Sequence, residues 1–217
     1  EMMMLLGEAA GSQSNLGGIT SGEGYFAAIA NRGLVDSDFV TNLTTNGLNA
    51  IDDIIVELDK QGAASEYAMY VNRAIDLAID DTIAGLYTGG GLANAYGAFN
   101  NDKDMAVELG FKSFGRGGYT FHKHDWKLLN DPTLLGGSAF KGVMIPMAMV
   151  ADAKTGDKSP ALEMNFKAAN GYSREMEHWL TGSVLGARTN GEDAAQFNYR
   201  SECNLITRAA NRHVLLK

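Results

Sequence analysis

The stretch from Asn46 to Leu86 constrains the fold more than any other part of the chain. Leu48, Ile51, Ile54, Ile55 and Leu58 recur at helical spacing, with Asp52, Asp53, Glu57 and Asp59 mostly opposite them, which predicts a helix with one apolar stripe. Asp52 and Asp53 lie toward the positive end of that helix and Lys60 lies in its last turn. Gly62 can take the left-handed conformation that ends a helix. Glu66 to Val71 is short and rich in Tyr, Met and Val, so it reads as a half-buried strand. Asn72 can cap a second helix whose stripe is Ile75, Ala78, Ile79, Ile83 and Leu86, with Asp76, Asp80 and Asp81 on a solvated face. Helix, strand and helix are packing devices, and none of these residues suggests chemistry.

At 217 residues the chain can form one large domain or two small ones, with a substantial core. A net charge of −8 makes it a poor nucleic-acid binder, because neutralising phosphates needs clustered Lys and Arg. One cysteine, Cys203, excludes an internal disulfide and a Cys-rich metal site. No run approaches the roughly 18 apolar residues of a membrane span. The opening Glu1-Met2-Met3-Met4-Leu5-Leu6 lacks an initiator methionine and reads as the tail of a helix begun upstream. The chain is therefore expected to be a fragment or processed product, an arbitrary boundary being the alternative.

Outside the central block the signals are shorter. Gly7 to Gly24 is glycine- and serine-rich and reads as a connector, followed by a short amphipathic segment with Tyr25, Phe26 and Ile29 inward. Thr88-Gly89-Gly90-Gly91 ends the second helix. Val107 to Phe114 and Tyr119 to Trp126 form a predicted hairpin about Gly115 to Gly118, and Asn130-Asp131-Pro132 reads as a turn. Phe140 to Val150 is the most apolar run, and Pro146 points to an edge strand or a bulge. Asp152 to Pro160 is a turn before the alternating Leu162 to Phe166. Met176, Trp179 and Leu180 fall at helical spacing within Ser173 to Leu185, and Gly186 to Asp193 is a loop. Phe197 to Leu205 alternates as one strand, with Cys203 on its apolar side as a buried thiol. Ala209 to Asn211 makes a corner before a last short strand, Arg212 to Leu216.

Candidate chemistry is sparse. On a strand, His122 and His124 share a face, the spacing that can chelate one metal, so a metal-dependent hydrolase is one reading. It needs a third ligand, from His178 or a distant carboxylate. The duller account is two histidines on the solvated side of a hairpin. The glycines after Thr88 lack the GxxxxGK[ST] frame and meet the wrong helix end for a phosphate, and Gly11-Ser12 and Gly182-Ser183 lack G-x-S-x-G. Met144 to Met149 suggests a different class, a monomeric binding module capturing a peptide by strand addition along Val143 to Val150.

Gly117 to Gly137 (GGYTFHKHDWKLLNDPTLLGG), Phe140 to Met147 (FKGVMIPM) and Phe197 to Lys217 (FNYRSECNLITRAANRHVLLK) resemble segments of tailed-bacteriophage major capsid proteins of the Hong Kong 97 type, nearest the crAss-like group. The order of elements is similar: a helix–strand–helix block, a glycine- and strand-rich insertion, and a closing strand. The resemblance implies an α+β fold of helices on antiparallel sheets, arranged as peripheral and axial domains. It divides the chain into a connector with a short helix (1–45) and mixed capsid domains (46–217), the insertion running roughly 87–195. It implies a structural role without enzyme activity or cofactor. Copies would join one another as hexamers and pentamers, near packaged DNA without gripping it and alongside other virion proteins. Assembly would occur in the host bacterial cytoplasm, with the product in the virion and no membrane involved. The family's N-terminal arm and extended hairpin loop find no counterpart in the sequence. Subunit contacts are expected from Tyr119, Phe121, Trp126 and Leu128 in the hairpin region, Trp179 on its helix, and Arg200, Arg208 and Arg212 near the closing strands. The competing account is core packing for the aromatics and solubility for the arginines.

Overall fold

The computed structural model describes residues 24–88, 112–133, 140–152, 154–169, 171–182 and 195–217. The chain divides into two compact units, one of residues 1–161 with 207–217 and one of residues 162–206. The expectations for Glu1 to Leu6, the connector before Gly24, the glycines after Thr88, Val107 to Phe111 and the loop at 186–193 lie outside the described residues.

The larger unit is α+β. Its helices are α1 (Tyr25–Arg32), α2 (Phe39–Asn46), α3 (Asn49–Lys60) and α4 (Arg73–Thr88). Its main sheet contains β1 (Leu34–Asp36), β2 (Glu66–Val71), β3 (Ser113–Arg116), β4 (Tyr119–Asp125), β5 (Gly142–Pro146) and β14 (Val214–Leu216), in the order β1-β14-β5-β2-β4-β3. β1 runs parallel to β14 and β2 parallel to β4, and the other three pairings are antiparallel. A separate small hairpin joins β6 (Val150–Ala151) to β7 (Lys158–Ser159).

The helix–strand–helix block forms as its pattern predicts. Ile51, Ile54, Ile55 and Leu58 of α3 are buried with Ile75, Ile79 and Ile83 of α4 against Tyr67, Met69, Val71, Phe121 and Met144 on one sheet face. Gly62, at φ 57°, lies just beyond α3. Asn72 Oδ1 accepts the Ile75 N–H at 2.9 Å, and Asn130 Oδ1 accepts the Arg73 N–H at 2.7 Å. Two amides that the first turn of α4 would leave unpaired are thereby satisfied. Gly117 and Gly118, both at positive φ, close a two-residue turn between β3 and β4, so the hairpin forms with a tighter turn than expected.

α1 lies across the opposite sheet face. Val143 and Leu215 are cross-strand partners whose side chains alternate away from Met144 and Val214, and both are buried. Phe26 meets Phe140 and Trp126, and Trp126 meets Tyr70 edge-on.

β5 corrects the edge-strand expectation, because it sits between β14 and β2 in the interior of the sheet. Pro146 is its last residue and pairs with Tyr67, while Met147 N–H bonds to the Glu66 carbonyl beside it. The proline nitrogen therefore faces away from β2, on a side where β14 has already ended opposite Met144, and no ladder bond is lost.

Among the described residues the smaller unit contains strands and no helix. β8 (Leu162–Phe166) pairs with β13 (Cys203–Thr207), β9 (Ala168–Ala169) with β10 (Tyr172–Ser173), and β11 (Glu177–Gly182) with β12 (Ala195–Arg200). Residues 177–182 are strand, which overturns the expected helix around Met176, Trp179 and Leu180. Local spacing mimicked a helix, and pairing with β12 along six residues prevails. The single strand expected over Phe197 to Leu205 is interrupted at Ser201 and Glu202. Glu202 there accepts the Lys167 N–H and donates its own N–H to the Arg174 carbonyl.

Candidate interaction surfaces and buried polar sites

The expected contact-makers separate once their burial is known. Tyr119 and Phe121 project from β4 into the core, Phe121 stacking on Tyr119 and tilted against Phe114 and Tyr67, so they pack the interior and do not anchor a neighbour. Strand alternation puts residues 119, 121 and 123 beneath the helices, the side opposite His122 and His124. The Tyr119 hydroxyl donates to Asp59 Oδ1 at 2.6 Å, and burial together with that carboxylate pushes its pKa up to about 12. Trp126 and Leu128 are half-buried, Trp126 within the aromatic cluster under α1. Arg208 and Arg212 are also half-buried. Arg208 donates to the Pro160 carbonyl, and the Arg212 carbonyl accepts the Tyr67 hydroxyl.

The smaller unit keeps Trp179 and Arg200 at the surface. The Arg200 guanidinium lies 5.7 Å from the Trp179 ring centre and pairs with Glu177 at 2.6 Å. Glu202 collects Lys167 at 3.0 Å and Arg174. The register fixes the two sides of the β11–β12 ladder. His178–Tyr199 and Leu180–Phe197 pairs share one side, and Glu177–Arg200, Trp179–Asn198 and Thr181–Gln196 share the other. The first side carries no Lys, Arg, Asp or Glu, yet Phe197 and Tyr199 are each 71% exposed. Tyr172, at 77%, and Met176 are exposed in the same unit. Cys203 is half-buried rather than the buried thiol expected.

His122 and His124 do share the sheet side away from α3 and α4, as their spacing predicts. His122 Nε2 lies 3.5 Å from the Glu66 carboxylate, and His124 stacks on Tyr70 with ring centres 5.2 Å apart. His178, the suggested third ligand, belongs to the other unit. Among the described residues no three His, Cys, Asp or Glu side chains converge on one point. Along Gly142 to Met144 β5 has β14 on one edge and β2 on the other, so strand addition there has no open edge; Met147, Ala148 and Met149 beyond it are exposed.

Two buried polar sites escaped the sequence reading. Lys123, between the two histidines, points under α4, where its side chain is 3% exposed. Its Nζ lies 2.5 Å from Asp80 Oδ1 and 2.8 Å from Asp76 Oδ1, and donates to the Asp76 carbonyl at 3.2 Å. Asp76 and Asp80 are thus an inward-facing pair one turn apart, and the solvated-face expectation holds only for Asp81. The missed signal was the 122–124 alternation itself, since two outward histidines oblige Lys123 to point in. The second site is His213, fully buried at the end of β14. Its Nε2–H donates to the Arg208 carbonyl at 3.1 Å, which leaves Nδ1 to accept the Tyr25 hydroxyl at 2.7 Å. Burial holds its pKa down at about 4, and the ring is neutral at physiological pH. Arg116 forms a two-pronged pair with Asp52 of α3 and keeps that carboxyl below its usual range.

No protein-family model matches the chain, and no curated protein matches it.

Proposed function

We propose that this chain is a structural subunit, the major capsid protein of a tailed bacteriophage with the Hong Kong 97-type fold, and that its task is to join copies of itself into an icosahedral shell. The observation that carries the reading is the surface of the smaller unit. At roughly 200 Å² per ring, the exposed fractions of Phe166, Tyr172, Trp179, Phe197 and Tyr199 leave on the order of 600 Å² of aromatic surface in water. The area is spread over both sides of the β11–β12 ribbon and its neighbouring strands, and its sum is of the order of the ~800 Å² each partner contributes to a standard interface. The antiparallel β11–β12 ladder favours the reading, since the resemblance implies an extended two-stranded hairpin that laces subunits together.

The polar sites of the larger unit support the same role. Lys123, His213 and Arg116 each have their partners within the fold, in arrangements that fix helices to the sheet. A tile of a shell needs that rigidity and needs no reacting centre. The capsid reading places the protein in the virion.

Electron microscopy of the protein expressed from its whole gene tests the proposal. Closed shells, or curved arrays of hexamers and pentamers, are expected. Monodisperse monomers at high concentration would overturn it.

A further inference from the structure

We infer that the side of the β11–β12 ribbon without Lys, Arg, Asp or Glu is a two-fold contact in which His178, Leu180, Phe197 and Tyr199 pack against the same four residues of a second copy. The inference rests on the self-assembling role proposed above and names the surface and the partner.

A two-stranded ribbon is marginal alone in water and gains stability when a second layer covers one of its sides. The two sides here differ sharply. Glu177–Arg200 and Trp179–Asn198 leave one side polar, its charges already satisfied within the ribbon. The other presents the cross-strand pairs Leu180–Phe197 and His178–Tyr199, with Phe197 and Tyr199 each 71% exposed and Leu180 40% exposed. Because that side carries no Lys, Arg, Asp or Glu, it offers no fixed charge to select a partner of opposite sign. Turned on itself by a two-fold axis, it brings no like charges together. Two such layers pack face to face about 10 Å apart, a spacing that interdigitated Phe, Tyr and Leu side chains fill. The pair of faces would cover on the order of 800 Å², with each ring contributing roughly 200 Å² times its exposed fraction. That is the size of a weak contact, suited to a subunit held by several neighbours at once.

The test is sedimentation velocity of the whole chain from about 1 to 100 μM, with Phe197→Glu and, on the polar side of the same strand, Gln196→Glu. Both positions are exposed, so neither change disturbs a core. An interface aromatic is worth roughly 30-fold in affinity, and the two-fold axis places each substitution twice in the contact. Phe197→Glu is therefore expected to weaken self-association about 1,000-fold and Gln196→Glu less than about threefold. Leu180→Cys, in a Cys203→Ser background, is expected to give covalent dimers with a short bis-maleimide. If the wild-type chain self-associates and Phe197→Glu does so equally well, this contact is refuted while the shell role stands. A wild-type chain that stays monomeric to 100 μM, but forms shells when expressed from its whole gene, refutes the ribbon contact alone. Absence of assembly in both settings refutes the two together.

Discussion

Replacing Lys123 by Met gives the sharpest test of how α4 is held to the sheet. The ammonium is enclosed, and its three contacts, to Asp80, the Asp76 carboxylate and the Asp76 carbonyl, use its three protons. Lys123→Met keeps the length of the side chain and removes the charge, leaving two carboxylates one helical turn apart against an apolar core. Removing one member of a buried ion pair costs about 3–5 kcal/mol, because the remaining charge loses its compensation in a medium that solvates it poorly. Asp80→Asn in the same protein removes one of the stranded charges. The double variant is then expected to be less destabilised than the sum of the two single changes, by about 1–3 kcal/mol. Urea unfolding followed by Trp126 fluorescence in a Trp179→Phe background reports the larger unit alone. A loss below about 1 kcal/mol for Lys123→Met, or strict additivity of the pair, would refute the account of a buried charge cluster clamping α4.

Three further outcomes are expected. Between pH 6.5 and about 4 the larger unit should lose about 3 kcal/mol through His213: its folded pKa is held at about 4, so the unfolded chain takes up the proton first and stability falls as pH falls. His213→Gln should flatten that limb of a urea-midpoint-versus-pH plot. Phe121→Ala should cost about 3–5 kcal/mol and Phe197→Ala less than about 0.5 kcal/mol by urea unfolding; the reverse order would contradict the burial of the first and the exposure of the second. Arg116→Met should cost under about 1 kcal/mol, since its pair with Asp52 is partly exposed, and raising the salt to 1 M should erase most of the difference.

The helix–strand–helix block was legible because Ile51, Ile54, Ile55, Leu58, Ile75 and Ile79 each sit on a stripe long enough for its period to be unambiguous. The β3–β4 hairpin was legible in existence, though not in which side of β4 meets the core. Alternation is symmetric, and only the arrival of α3 and α4 decides that Tyr119, Phe121 and Lys123 turn inward. That missing decision accounts for the misplaced interface aromatics and the unseen ion cluster alike. The spacing of Met176, Trp179 and Leu180 is ambiguous because three apolar side chains in five residues fit two periods, and a distant strand settles the matter. Pro146 misled for a related reason: proline excludes itself from a ladder only where a partner needs its N–H, and whether one stands there is not a local property.

The placement of β14 has a consequence for how the molecule comes into being. Val214 to Leu216 fill the gap between β1 and β5, two strands more than a hundred residues apart in sequence. A nascent chain on the ribosome therefore cannot close its main sheet until residues 214–216 have emerged. During that wait the inner flank of β5 stands open as a sticky seam, so conditions that slow synthesis or remove Val214 to Leu216 should send the product into inclusion bodies rather than merely soften it.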